Sequence, residues 1–93
     1  SLLKSLPDVE WINGMLYEEG KMFPEDIPRA ISFYEKAAKK NNAEALYKLG
    51  SLNEQGLYRK DYPTEYIKLW EKAADMGSLE AMTDMGYLYE KGV

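Results

Sequence analysis

Glycine recurs in this chain at one interval: Gly14, Gly50 and Gly86 lie 36 residues apart, and so do Gly20, Gly56 and Gly92. The same spacing aligns Leu16 with Leu52, Glu18 with Glu54 and Ile31 with Ile67, and then Glu35-Lys36-Ala37-Ala38 with Glu71-Lys72-Ala73-Ala74. A third copy repeats the first half of the pattern through Glu80-Ala81, Gly86, Leu88, Glu90 and Gly92. A period between about 20 and 50 residues is the mark of a solenoid, in which each unit buries its apolar face only against its neighbours. With 93 residues the chain holds about two and a half such units, residues 7–42, 43–78 and a partial 79–93, within one domain. Stacks of this kind need roughly three, so the expectation is a piece of a longer array.

Within each unit the apolar spacing is helical. Ser5, Pro7 and Asp8 suit an N-cap, a first-turn proline and an acid in the first turn, which predicts a helix from there to Glu19 with Val9, Ile12, Leu16 and Tyr17 on one face. Gly20 stops it. Asp26 then caps a second helix, with Pro28 in its first turn, and Ile27, Ala30, Ile31, Tyr34, Ala37 and Ala38 recur at three-to-four spacing up to about Lys40. Asn41 suits a left-handed cap and Asn42 an N-cap, as do their counterparts Gly77 and Ser78. The second unit predicts helices over residues 43–55 and from Pro63 to about Met76, the latter capped by Asp61 or Thr64. The fifth helix runs from Leu79 to Lys91.

Glycine inside a helix costs about 1 kcal/mol against alanine, so Gly14, Gly50 and Gly86 predict a close helix approach, with the paired alanines as the matching shallow surface. Tyr34 and Trp70, 36 apart on the apolar faces, read as core. The loops 21–25 and 57–60 read as tolerant of substitution, Phe23 and Tyr58 being the exceptions.

A composition of 45% hydrophobic and 30% charged residues is that of a folded chain. A net charge of −4 with no basic cluster argues against nucleic acid. No apolar run approaches the roughly 20 residues that span a bilayer, and residues 1–7 are too short and polar for a signal peptide, so a soluble chain is expected. Neither His nor Cys is present, which removes most nucleophile, general-base and metal constellations. The adjacent acids Glu18-Glu19 and Glu25-Asp26 point in different directions on a helix or already have a capping role, and no phosphate or calcium loop occurs. No cofactor, no metal and no enzyme activity are expected. Zero Cys is neutral as to compartment, and the localisation is unknown from the residues alone.

The motif Ala45-x3-Leu49-Gly50-x-Leu52-x3-Gly56, followed by Leu69-Trp70-Glu71-Lys72-Ala73-Ala74-Asp75-Met76-Gly77, resembles the Sel-one-like repeat (Sel1-like repeat), a relative of the tetratricopeptide repeat. The resemblance implies a right-handed α-solenoid that acts as an adaptor scaffold for other proteins, without catalysis. Asn53 departs from it, standing where Tyr17 and Tyr89 keep the usual aromatic. So do Glu10 and Asn13 at apolar positions, which predicts a more solvated outer edge for the first helix.

On the first helix of each unit, the stripe opposite the Ala45-Leu49-Leu52 face comprises Asp8, Trp11, Met15, Glu18 and Glu19, then Glu44, Tyr47, Ser51, Glu54 and Gln55, then Glu80, Thr83, Tyr87, Glu90 and Lys91. It holds seven acids and one base, whereas the rest of the chain holds nine acids and eleven bases. By resemblance this side is the concave groove of the stack. Trp11, Met15, Glu18, Glu44, Tyr47, Ser51, Glu54, Glu80, Thr83, Tyr87 and Glu90 are the candidate partner-binding residues, for a basic, partly apolar peptide or protein. The other reading of the stripe is a solvated face whose Glu18, Glu54 and Glu90 pair with lysines of neighbouring helices. The alternative function is a structural spacer that self-associates through its repeat ends, where Met82, Met85, Leu88 and Tyr89 form an apolar surface.

Overall fold

A computed structural model describes residues 9–92, which form five α-helices: α1 Glu10–Glu19, α2 Ile27–Lys39, α3 Ala43–Glu54, α4 Glu65–Asp75 and α5 Leu79–Glu90. The cap expected at Ser5 to Asp8 lies outside the described residues. Each helix packs on the next along the chain, α1 on α2 through to α4 on α5, and the stack measures 43 × 32 × 21 Å. Five helices and no strand among the described residues, stacked in chain order, make an all-α helical-repeat solenoid.

The junction between units is built twice in the same way. Asn42 N–H bonds the Ala37 carbonyl and Asn41 N–H the Ala38 carbonyl, with Asn41 at φ 63°. Ser78 and Gly77 repeat these bonds to Ala73 and Ala74, with Gly77 at φ 102°. The side chains of Asn42 and Ser78 then accept from Ala45 N–H and Ala81 N–H, starting α3 and α5. Asp26 caps α2 through Arg29 N–H, as expected.

Within each unit the two helices meet through a ring on a glycine. A Cβ at Gly14 would lie 2.7 Å from the Tyr34 ring, and one at Gly50 would lie 2.5 Å from the Trp70 indole. Both rings are buried, and each uses its polar atom: Tyr34 Oη donates to Glu18 Oε1 at 2.6 Å, and Trp70 Nε1 donates to the Tyr47 carbonyl at 3.2 Å. Burying a large apolar side chain is worth about 1.5–3 kcal/mol, which exceeds the helical cost of the glycine that admits it. The paired alanines are not the surface facing the glycines. Ala37 and Ala73 sit between units, packed with Ala45 and Leu49 in one cluster and with Ala81, Met85 and Leu88 in the other. α3 is buried on both sides, giving Ala45, Leu49 and Leu52 to the first cluster and Leu46 to the second.

Three details differ from the sequence-based expectation. Val9 is the N-cap of α1 and 56% exposed, not part of the apolar face. Glu10 is not on a solvated edge: it is half-buried and pairs with Lys40 at 3.2 Å. α4 begins at Glu65, not Pro63, and Thr64 at its N-cap makes no side-chain bond. Asn53 supplies the missing cap from the neighbouring helix. Its Oδ1 accepts from Tyr66 N–H at 2.7 Å, while Nδ2 donates to the carbonyls of Tyr58 and Tyr62 at 2.9 and 3.0 Å and, more weakly, of Arg59 at 3.3 Å. The loop before α4 is thus pinned, with Arg59 at φ 48° and Tyr58 packed on the first cluster.

Gly50→Leu is expected to lower stability by more than about 3 kcal/mol in urea unfolding, because the indole and the backbone fix the contact it enters. Gly86→Leu, with nothing within 4 Å of its Cβ, is expected to unfold like the parent or slightly later. Asn53→Ala takes the amide from Tyr66 N–H and the Tyr58 carbonyl, while the Arg59 and Tyr62 carbonyls keep Tyr62 N–H and Glu65 N–H, and a loss of about 2 kcal/mol or more is expected in the same measurement.

Candidate functional site

The first-helix stripes of α3 and α5 lie side by side. Tyr47 Oη donates to Asp84 Oδ2 at 2.7 Å, and the Tyr47 ring stacks on Trp70 with centroids 5.8 Å apart. Asp84 was not singled out by its spacing. Its signal is positional, one residue past Thr83 and 37 residues from Tyr47, so it leans from α5 toward α3. Burial, together with the bond to Asp84, pushes the Tyr47 hydroxyl up to about 12. Next to it, the carboxyls of Glu44 and Glu80 face each other across the two helices, near enough to hydrogen-bond when Glu44 carries a proton.

The candidate residues divide by how far the fold already occupies them. Trp11 packs on the first core cluster, and Met15 is half-buried. Glu18 accepts the Tyr34 hydroxyl, so it is held by a neighbouring helix through a phenol, not a lysine. Ser51 Oγ turns back to the Tyr47 carbonyl at 3.1 Å. Thr83 Oγ1 does the same to Leu79 at 3.0 Å while staying exposed. Glu54, Glu80, Tyr87 and Glu90 are exposed, Tyr87 to 59%, and Lys91 Nζ stands 5.3 Å over the Tyr87 ring. Glu54 and Glu90 are in none of the ion pairs among the described residues, which join Arg29–Asp26, Lys40–Glu10 and Arg59–Glu65. Asp8 lies outside the described residues.

Helix polarity sharpens the charge division. α1, α3 and α5 have no basic residue in the last turn and end at Glu19, Glu54 and Glu90, whereas α2 and α4 carry Lys36, Lys39 and Lys72 there. Carboxylates at a helix C-terminus add to its negative end instead of neutralising it, so the ends of the first helices are the electronegative part of the surface. Among the described residues there is no group of three or more acids that could hold a metal ion, and no helix long and apolar enough to cross a membrane.

Burial, then the bond to Glu80, raises the Glu44 pKa; the Glu80 pKa is lowered, chiefly by accepting that bond, with Lys48 nearby favouring the charged form of both. The raised group contributes stability below its unfolded pKa and loses it as pH rises through the folded value, above which the two carboxylates oppose each other. Glu44→Gln keeps a donor toward Glu80 at every pH. In thermal melts it is expected to be more stable than the parent at pH 7, by less than about 1 kcal/mol, and to lose that advantage toward pH 4.

The Sel1 repeat profile matches residues 14–42, 43–78 and 79–93. Among solved structures, the chain is similar to a Sel1 repeat protein from Oxalobacter formigenes, with a TM-score of 0.78 and 32% identity. That match covers 97% of this chain and 37% of the other, so this chain spans little more than a third of its relative's length. A search of curated proteins gives no significant match. The repeated helix pair and these matches agree: the chain belongs to the Sel1 repeat family, whose repeats are protein–protein interaction modules built as non-enzymatic scaffolds.

Proposed function

We propose that this chain is an adaptor that binds a basic, partly apolar peptide or protein segment along the first-helix stripes of α1, α3 and α5. The observation that carries this reading is the run of glutamates at the C-terminal ends of those helices, unneutralised by any basic residue in the last turn. A glutamate there opposes the macrodipole, so its recurrence at Glu18, Glu54 and Glu90 works against helix stability. A cation of the partner would meet both the carboxylates and the helix ends. Tyr87 is the exposed apolar anchor, with the half-buried Tyr47 and Met15 beside the acids as further contact. Aromatic anchors framed by complementary charge are the usual composition of an interaction hot spot.

The test is selection of a random 12-residue peptide library on the immobilised chain, followed by titration of the enriched peptides. Enrichment of Lys or Arg with aromatic residues is expected, with binding weakened about tenfold by Glu54→Lys or Tyr87→Ala and falling with salt. Both substitutions are at exposed side chains, so folding is spared; Tyr47→Ala would confound binding with loss of the Trp70 and Asp84 contacts. Enrichment of acidic peptides, or binding indifferent to both substitutions and to salt, overturns the proposal.

A further inference from the structure

At the end of α5 the expected apolar surface is narrower than its four residues, because Met85 and Leu88 are buried and only Met82 and Tyr89 are exposed. The two seams between units differ from each other more. Between α3 and α5 a directional bond crosses the first-helix side, from the Tyr47 hydroxyl to Asp84 at 2.7 Å. The residues 36 positions earlier, which hold the same places between α1 and α3, are Trp11 and Lys48. An indole N–H and an ammonium are both donors, so this pair cannot make the bond. Trp11 packs on the first core cluster through apolar contact, which is non-directional.

The side-chain bond between the first and second units lies on the second-helix side. Tyr58, in the loop before α4, donates from its hydroxyl to Glu35 of α2 at 3.0 Å. Beside it Ala37 meets Ala45 and Leu49, a shallow surface with little to interlock, and the chain crosses at Asn41, at φ 63°.

Each hairpin, by contrast, is locked inside. Tyr34 covers Gly14 and bonds Glu18, and Lys40 pairs with Glu10, so α1 and α2 form one body. Trp70 covers Gly50 and Asn53 holds the start of α4, which makes α3 and α4 a second body. Tyr47, stacked on Trp70 and bonded to Asp84, ties α5 to that second body.

We propose that the chain moves as two bodies, the hairpin of α1 and α2 rocking against the block of α3, α4 and α5 about Asn41 and the Tyr58–Glu35 bond. The rocking changes the distance between the stripes of α1 and α3 and leaves that between α3 and α5 fixed. The α1 stripe is then the part that closes on a bound partner. That closure rests on the binding reading above, whereas the two-body motion does not.

The chain has no Cys, so spin labels go only where a Cys is introduced. Glu19→Cys, Gln55→Cys and Lys91→Cys place them at exposed positions 36 residues apart, at the C-terminal ends of α1, α3 and α5 and away from the crossing at Asn41. Dipolar electron-resonance spectra in frozen solution are expected to give a 19–55 distance distribution about twice as wide as the 55–91 distribution, or wider. Tyr47→Phe, which keeps the ring on Trp70 and removes the bond to Asp84, is expected to widen 55–91 to match and to leave 19–55 unchanged. The melting curve of Tyr47→Phe reports that the fold is intact. Equal widths in the parent chain, or a 55–91 distribution indifferent to Tyr47→Phe, overturns the two-body motion. Adding a peptide selected as above is expected to shorten and narrow 19–55 alone. A peptide that binds and leaves 19–55 as it was overturns the closure and spares the stripes. A library that yields no basic peptide overturns the stripes and the closure together, and the label widths of the free chain still decide the motion.

Discussion

The contact between an indole and a helix with no side chain in its way, Trp70 on Gly50, sets the geometry of the second hairpin, and Tyr34 on Gly14 sets that of the first. A ring that close leaves no room for a Cβ, so the register of the two helices is fixed at one point. The ring's own polar atom, bonded to Glu18 or to the Tyr47 carbonyl, fixes its rotation as well. With each hairpin held in this way, and each junction closed by the same pair of carbonyl bonds, neighbouring units meet through the small faces of Ala37 and Ala73. α3, buried on both sides, joins the two clusters.

One position in the repeat anchors the connecting loop by different chemistry in the two complete units. Tyr17 does it with rings, stacked with Phe23 at 5.0 Å and with Phe33 at 5.8 Å, and with the Arg29 guanidinium 5.2 Å from its centroid. Asn53 does it with hydrogen bonds, holding loop carbonyls with one end of its amide and the start of α4 with the other. The exchange explains why α4 can begin two residues later than α2 in the repeat frame without losing its N-terminal cap. At the third position Tyr89 is exposed.

Charge is divided between the two helices of the unit. Lysines close α2 and α4, where they complement the helix ends, whereas glutamates close α1, α3 and α5, where they do not. Side chains of the first-helix stripes also serve the fold, as Glu18 does for Tyr34 and Tyr47 for Trp70. A surface that is partly structural in this way positions its exposed members, Glu54, Tyr87 and Glu90, on a rigid support. In a family of interaction modules this arrangement presents negative potential without flexible loops.

The sequence by itself determined the period, the helices and most of their caps, because these depend on local chemistry: Asp26, Asn42 and Ser78 cap, Asn41 and Gly77 turn, and apolar residues recur at helical spacing. It also placed Tyr34 and Trp70 in the core, since a large ring on an apolar helix face has nowhere else to go in a stack. The division of charge between stripes and remainder was legible for the same reason, being a property of residue order. Only the tertiary structure decided what crosses between helices. Asn53 looked like a departure from the repeat and is the cap of a helix that begins 12 residues later. Glu10 looked solvated and pairs with Lys40, and Tyr47, read as a partner contact, is tied to Trp70 and Asp84. Such partners are brought together by packing, and neither the spacing of a residue nor its propensity records which side chain will stand opposite it.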